Sequence, residues 1–261
     1  MQHASIRSFA GLAAIVLATG ATIVSAPART PDVHYVPTPQ NVVDRMLELT
    51  APKPGEYLID LGSGDGRIPI AAAKRFGISG HGVDIDPVRI TEAEANAKSA
   101  GVQDKVEFIQ ADLFETDISK ADIVTLYLLQ TLNAKLRPRL LNELRPGTRV
   151  VSHSFSMGDW TADRHETVGG RDVYFWIVPA RVEGEWRLQN GSEAVVNLSL
   201  KQKYQVVTGT ATMEGKPLPI EQVSLRGAEL SFRIGGQTYQ GKVDGNSIVP
   251  SGTGDWRAER I

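Results

Sequence analysis

Between residues 35 and 178, short apolar runs rich in β-branched side chains alternate with longer stretches whose apolar positions recur every three or four residues. Runs at residues 58–61, 81–84, 106–109, 123–127 and 150–154 predict strands, and residues 67–75, 87–100 and 132–144 predict helices between them. Strand and helix in alternation mark βαβ units, whose strands pair in parallel beneath covering helices. Pro138 falls inside the last of these helices, where a missing N–H predicts a kink or a fresh start, and Arg145-Pro146-Gly147 ends it. A further β-branched and aromatic run at 173–178 adds a strand. Beyond Arg181 the helical period disappears. Short strands are predicted at 195–200, 204–211, 229–234 and 238–243, with hairpin turns at Gly235-Gly236 and Asp244-Gly245. The pattern thus predicts a doubly wound α/β unit with a mostly parallel sheet over residues 35–180, then a small antiparallel β domain over residues 182–261. Gly184-Glu185-Trp186-Arg187 and Gly254-Asp255-Trp256-Arg257 are similar at the two ends of the second unit, as a closing strand pair or by coincidence.

The first 26 residues differ from the rest. Residues 9–26 are apolar or small and carry no charge, and Val24-Ser25-Ala26 offers the small residues that a signal peptidase accepts. Residues 1–26 therefore read as a signal peptide or as an N-terminal anchor. Either places the chain in the cell envelope: periplasmic or secreted if cleaved after Ala26, membrane-associated through the N-terminus otherwise.

Composition then removes several classes of function. Lys and Arg number 28 against 30 Asp and Glu, a formal charge of -2, so no basic excess is available to neutralise a phosphate backbone and no nucleic-acid partner is expected. The absence of cysteine excludes disulfide scaffolds, thiolate metal sites and cysteine nucleophiles. His34, His81 and His165 lack ligand spacing, so no metal is expected, and Ser63 lacks the spacing of a hydrolase nucleophile elbow.

Chemistry concentrates in Ile59-Asp60-Leu61-Gly62-Ser63-Gly64-Asp65-Gly66-Arg67, a strand that runs into alternate glycines and then a helix. Such a turn lets backbone approach a ligand and sets a helix N-terminus at the carboxyl end of the sheet. The glycine spacing departs from the dinucleotide fingerprint, and no Lys-Ser or Lys-Thr follows as in a P-loop.

Asp60-x-Gly62-x-Gly64-x-Gly66 resembles motif I of the class I S-adenosylmethionine-dependent methyltransferases, which share a Rossmann-like fold. The resemblance implies S-adenosyl-L-methionine as cofactor, with Gly62, Gly64 and Gly66 in the cofactor-binding loop and Asp60 near the methionine ammonium. It assigns the ribose hydroxyls to Asp84 and the adenine amino group to Asp112. Tyr35-Val36-Pro37-Thr38-Pro39, the glycine loop, and Arg149 to Phe155 with Trp160 are similar to the small membrane-anchored protein-lysine methyltransferases of mitochondria and their bacterial relatives, over roughly residues 35–160. That similarity implies transfer of a methyl group to a protein lysine amine, with a small molecule as the other acceptor class. Tyr127 stands where the family's substrate side chain approaches, as a candidate catalytic residue or as a core aromatic; Tyr35 is a second candidate for lining the acceptor channel. Asp86 before Pro87 reads as a helix N-cap. No Asn-Pro-Pro-Tyr follows the fourth strand, which disfavours methylation of an adenine amino group. Because fold does not fix function, the competing expectation is a non-catalytic envelope binding protein that keeps a methyltransferase-like fold.

Overall fold

The computed structural model describes residues 34–191 and 195–261. The expectation of a signal peptide or anchor at residues 1–26 lies outside the described residues, among which no helix is long and apolar enough to cross a membrane.

The first unit runs α1 (Gln40–Thr50), β1 (Tyr57–Leu61), α2 (Arg67–Phe76), β2 (Ser79–Asp84), α3 (Pro87–Ala100), β3 (Val106–Gln110), β4 (Ile123–Leu126), α4 (Gln130–Glu143), β5 (Arg149–His153), β6 (Arg164–Val168) and β7 (Arg171–Ile177). Its sheet has the order β3-β2-β1-β4-β5-β7-β6. β1 to β5 are parallel, whereas β7 is antiparallel to both β5 and β6. Alternate residues of the central strands enter opposite layers, as the two-residue period of a strand requires. Leu58, Ile123 and Val151 pack with Val43, Met46 and Leu47 of α1 and Ala72 of α2. Ile59, Val124 and Val150 pack on the other face with Leu136 and Leu140 of α4. Strand order reverses direction between β1 and β4, which opens a crevice at their carboxyl ends.

The first unit departs from the sequence reading in three details, the first being α1, which the sequence pattern does not predict. α4 begins at Gln130 and passes through Pro138 without a break, because Asn133, Leu136 and Leu140 are fully buried along it and hold both halves to the sheet. β6 carries no apolar run, since it is an edge strand whose residues are exposed or half-buried.

The second unit is a nine-stranded antiparallel sheet: β8 (Gly184–Asn190), β9 (Val196–Lys203), β10 (Val206–Met213), β11 (Lys216–Leu218), β12 (Ile220–Arg226), β13 (Glu229–Ile234), β14 (Gln237–Asp244), β15 (Ser247–Pro250) and β16 (Trp256–Arg260). The order is β11-β10-β9-β8-β16-β15-β14-β13-β12, and β10 also approaches β12, so the sheet curls into a near barrel. The two similar tetrapeptides lie on paired strands: β8 and β16 join with Trp186 opposite Arg260 and Asn190 opposite Trp256, and both tryptophans are buried in the barrel core. The strand expected from residue 204 begins at Val206, since Tyr204 takes a left-handed φ of 56° in the preceding turn. Gly245-Asn246, rather than Asp244-Gly245, forms the turn between β14 and β15.

Candidate active site

At the end of β1 the chain folds back on β2: the Gly62 and Ser63 amides both donate to the Val83 carbonyl, at 2.8 and 2.9 Å. Gly62, Gly64 and Gly66 have φ of 83°, 52° and 77°, a region that L side chains enter only with strain. A Cβ on Gly66 would lie 2.5 Å from the Phe108 ring and 2.9 Å from the Ala93 methyl, so this glycine lets α2 start directly against β3 and α3. A Cβ on Gly64 would instead meet the Tyr35 ring at 2.4 Å.

The acids of the sequence reading converge on this loop. Asp84 closes β2, and its carboxylate accepts the Gly64 amide at 2.9 Å and the Asp86 amide at 3.0 Å. Asp86 caps α3 by accepting the Val88 amide at 2.9 Å, with Pro87 as the first helical residue. Asp112, two residues past β3, accepts the Phe114 amide at 2.8 Å. Asp60 is 2% exposed and accepts a 2.6 Å hydrogen bond from the Thr125 hydroxyl of β4. Burial lifts the Asp60 carboxyl to about 7 against that hydrogen bond, and the charges of Asp84 and Asp65 add to the rise.

These groups border one cavity of about 560 Å³. Asp60, Gly62, Gly64, Asp84, Asp112 and Tyr127 line it, whereas Gly66 stands outside the lining, in the packing beneath α2. Five aspartates face the cavity against two arginines, and both arginines are engaged: Arg67 pairs with Asp65 at 2.6 Å, and Arg89 pairs with Glu92. Burial alone would raise the Asp65 carboxyl, but the hydrogen bonds and charge of Arg67 outweigh it and hold it below the usual carboxylate range. The cavity is therefore anionic and suits a ligand that carries positive charge.

Residues 34–38 pass over one side of the cavity, and Tyr35, a candidate for the acceptor channel, lies against the glycine loop at Gly64. The Arg67 guanidinium donates to the Thr38 carbonyl at 2.8 Å, and the Arg89 guanidinium lies 4.7 Å from the centre of the Tyr35 ring. Tyr127, just beyond β4, sits with its ring 3.8 Å from that of His153 and 6.4 Å from that of Phe155. Leu128, Leu129 and Leu132 continue this apolar end. His153 is fully buried and shares a 3.1 Å hydrogen bond with the Thr38 hydroxyl. Burial, helped by the charge of Arg171, lowers its pKa to about 4, so the ring is neutral at pH 7. Asp60, Asp84, Asp112 and Tyr127, singled out in the sequence, line the cavity; the Thr125 hydrogen bond and the placing of Thr38 and Phe155 against the cavity are set by long-range packing.

Residues 60–164 match the family described as the ANTKMT methyltransferase domain. A protein-lysine N-methyltransferase of Saccharolobus islandicus is 48% identical over 131 residues, 50% of this chain and 81% of that protein. The adenine nucleotide translocase lysine N-methyltransferase of Mus musculus is 32% identical over 128 residues, 49% of this chain and 56% of that protein. A solved structure described as an RNA methyltransferase from Salinibacter ruber, in complex with S-adenosyl-L-homocysteine, is 56% identical and covers 56% of this chain and 96% of that chain, with a TM-score of 0.55. These matches support an enzyme that uses S-adenosyl-L-methionine, and nothing in them supports a binding protein without activity. With four-fifths of the Saccharolobus enzyme aligned at 48% identity, the chain belongs to the class I S-adenosylmethionine-dependent methyltransferases, in the family of the protein-lysine N-methyltransferases.

Proposed function

We propose that this methyltransferase modifies the ε-amine of a lysine on a protein. The observation that carries the reading is the cavity itself, anionic along the glycine loop and lined at its apolar end by Tyr127 and Phe155. In this reading Asp84 holds the ribose hydroxyls, Asp112 the adenine amino group and Asp60 the methionine ammonium, while Gly62 and Gly64 let the backbone approach. The residues fit the cofactor: the loop presents left-handed glycines, and a buried carboxyl that is half-protonated near pH 7 gains a counter-charge when an ammonium arrives.

When bound, S-adenosyl-L-methionine supplies a methyl group already activated by its sulfonium, which an amine lone pair can take directly. What remains for the chain is to bring a neutral amine into line at about 3–3.5 Å. A lysine ammonium must first lose its proton. The rings of Tyr127 and Phe155 with Leu129 and Leu132 form a low-dielectric wall that disfavours the charged form and lowers the amine pKa. His153 keeps Tyr127 in place through a tilted ring contact and, being neutral, adds no charge to the wall.

A second reading, an RNA acceptor, is favoured by the description of the Salinibacter protein. It is opposed by the charge of the site, since five aspartates and two paired arginines repel a phosphate backbone. Incubating the full chain with methyl-labelled cofactor and either cell protein or total RNA separates the two. Label recovered as methyl-lysine is the expected result; label confined to RNA overturns the proposal.

A further inference from the structure

The chain between β5 and β6 is held from two directions. On the cavity side, the Asn133 amide of α4 donates to the Phe155 carbonyl and the Ser152 hydroxyl, both at 3.0 Å, and Arg137 donates to the Met157 carbonyl at 2.7 Å. Ser154 takes a left-handed φ of 62°, and Phe155 then turns into the cavity as the only lining residue of the stretch 154–161. A non-glycine residue persists in that conformation only where its surroundings enforce it.

Farther along, the enforcement comes from the second unit. The turn Tyr204-Gln205 between β9 and β10 clasps Asp159, Trp160 and Thr161. The Tyr204 ring stacks on Trp160 at 6.0 Å and 27°, and its hydroxyl donates to Asp159 at 3.0 Å. The Trp160 indole donates to the Gln205 side chain at 3.0 Å, the Gln205 amide donates to the Thr161 carbonyl at 2.7 Å, and Lys203 pairs with Asp159 at 3.1 Å. Trp160 is 1% exposed and its carbonyl accepts the Trp176 indole at 2.9 Å, so the clasp grips a residue anchored in the core of the first unit.

We propose that the β9–β10 turn is a positioning element of the acceptor site: by fixing Asp159–Thr161 it fixes the loop that sets Phe155 beside Tyr127. The second unit thereby acts on the methyl acceptor and not on the cofactor, whose candidate ligands lie on β1, β2 and the segment after β3. This rests on the acceptor reading given above, in which Tyr127 and Phe155 receive the lysine.

The test uses the full chain carrying Tyr204→Ala with Gln205→Ala, and a Tyr204→Phe chain that keeps the ring and loses only the hydroxyl. Three quantities are read: affinity for S-adenosyl-L-homocysteine, kcat and KM for methyl transfer to poly-L-lysine, and hydrogen exchange of the amides of residues 127–132 and 154–161. The double variant is expected to exchange faster at 154–161 and to lose about tenfold in kcat, with affinity for the product nucleoside held within about twofold. Tyr204→Phe should recover most of kcat. Unchanged exchange at 154–161, faster exchange with kcat intact, or an affinity that falls in step with kcat each overturns the proposal. If the parent chain binds the nucleoside but leaves methyl-lysine neither in poly-L-lysine nor in cell protein, the acceptor reading fails. The exchange data then decide the clasp alone: faster exchange at 154–161 in the double variant upholds it, and unchanged exchange there rejects it.

Discussion

The Asp84 carboxylate accepts the Gly64 amide at 2.9 Å, so the acid that closes β2 braces the glycine loop that closes β1. Its other oxygen takes the Asp86 amide, whereas the Asp86 carboxylate turns away to cap α3. Two aspartates two residues apart thus have separate tasks. Asp84→Ala removes a charged acceptor from two loop amides and from the proposed ribose contact, each worth on the order of 1.5–3 kcal/mol. Affinity for S-adenosyl-L-homocysteine should fall at least about tenfold, the equivalent of about 1.4 kcal/mol. Asp86→Ala should cost about 0.5–2 kcal/mol of stability and leave affinity nearly unchanged. Calorimetric titration and thermal unfolding of both variants separate these effects; a reversed pattern would move the ribose contact to Asp86.

Asp60 makes stability depend on pH with a definite sign. Its folded pKa of about 7 exceeds the ordinary 3.8, so the folded chain holds a proton that the unfolded chain releases. Stability from this group is complete below about pH 4 and is lost as pH rises toward 7. Asp60→Asn, which can still accept the Thr125 hydroxyl, should therefore match the parent near pH 4 and exceed it at pH 8, by at most about 4 kcal/mol. Cofactor affinity should strengthen from pH 5.5 to 8 in the parent and stay flat in the variant, because an ammonium favours the ionised carboxyl. Parallel pH profiles in the two proteins would remove Asp60 from the ammonium site.

The opposite slope belongs to His153. With a folded pKa of about 4 against the ordinary 6.5, it takes up a proton on unfolding, so stability falls as pH drops from about 6.5 toward 4. His153→Phe keeps a ring for Tyr127 and abolishes that loss. Because Asp60 acts with the reverse sign across the same range, the measurement is the difference in unfolding free energy between parent and variant at each pH. A difference independent of pH would show that the histidine does not titrate as described.

Two glycines of the loop should respond differently to alanine. At Gly66 the added methyl strikes Phe108 and Ala93 in the packed layer between α2 and α3, and about 1–3 kcal/mol of backbone strain adds to the clash. At Gly64 it strikes only the ring of Tyr35, a side chain 41% exposed that has room to move. Gly66→Ala is expected to lower the thermal midpoint more, and Gly64→Ala to lower cofactor affinity more. Loss of affinity without loss of stability at Gly66 would place it in the cavity wall instead.

The sequence carries what strands and turns write locally. Leu58 to Leu61 alternate between two helical layers, and the run of glycines after Asp60 fits only a tight strand-to-helix turn, so the loop and its acids were readable in order. Asp86-Pro87 announced its cap for the same reason. Tertiary partners leave no such trace. Nothing around Thr125 points to Asp60, which lies 65 positions away, and nothing around Asp159 points to Tyr204, 45 positions away. Trp186 and Trp256 are an intermediate case: their similar surroundings hinted at paired strands, but the register was set by the barrel core that both tryptophans fill.

β7 reverses the direction of the strands beside it, and Ile177 at its end lies level with Arg149 at the start of β5. The polypeptide therefore leaves the first unit at the pole away from the glycine loop, where an added module displaces nothing that touches a nucleoside. That exit is a natural graft point. A chimera joined there would keep the glycine loop of the first unit, and would need a turn equivalent to Tyr204-Gln205 to go on holding Asp159–Thr161.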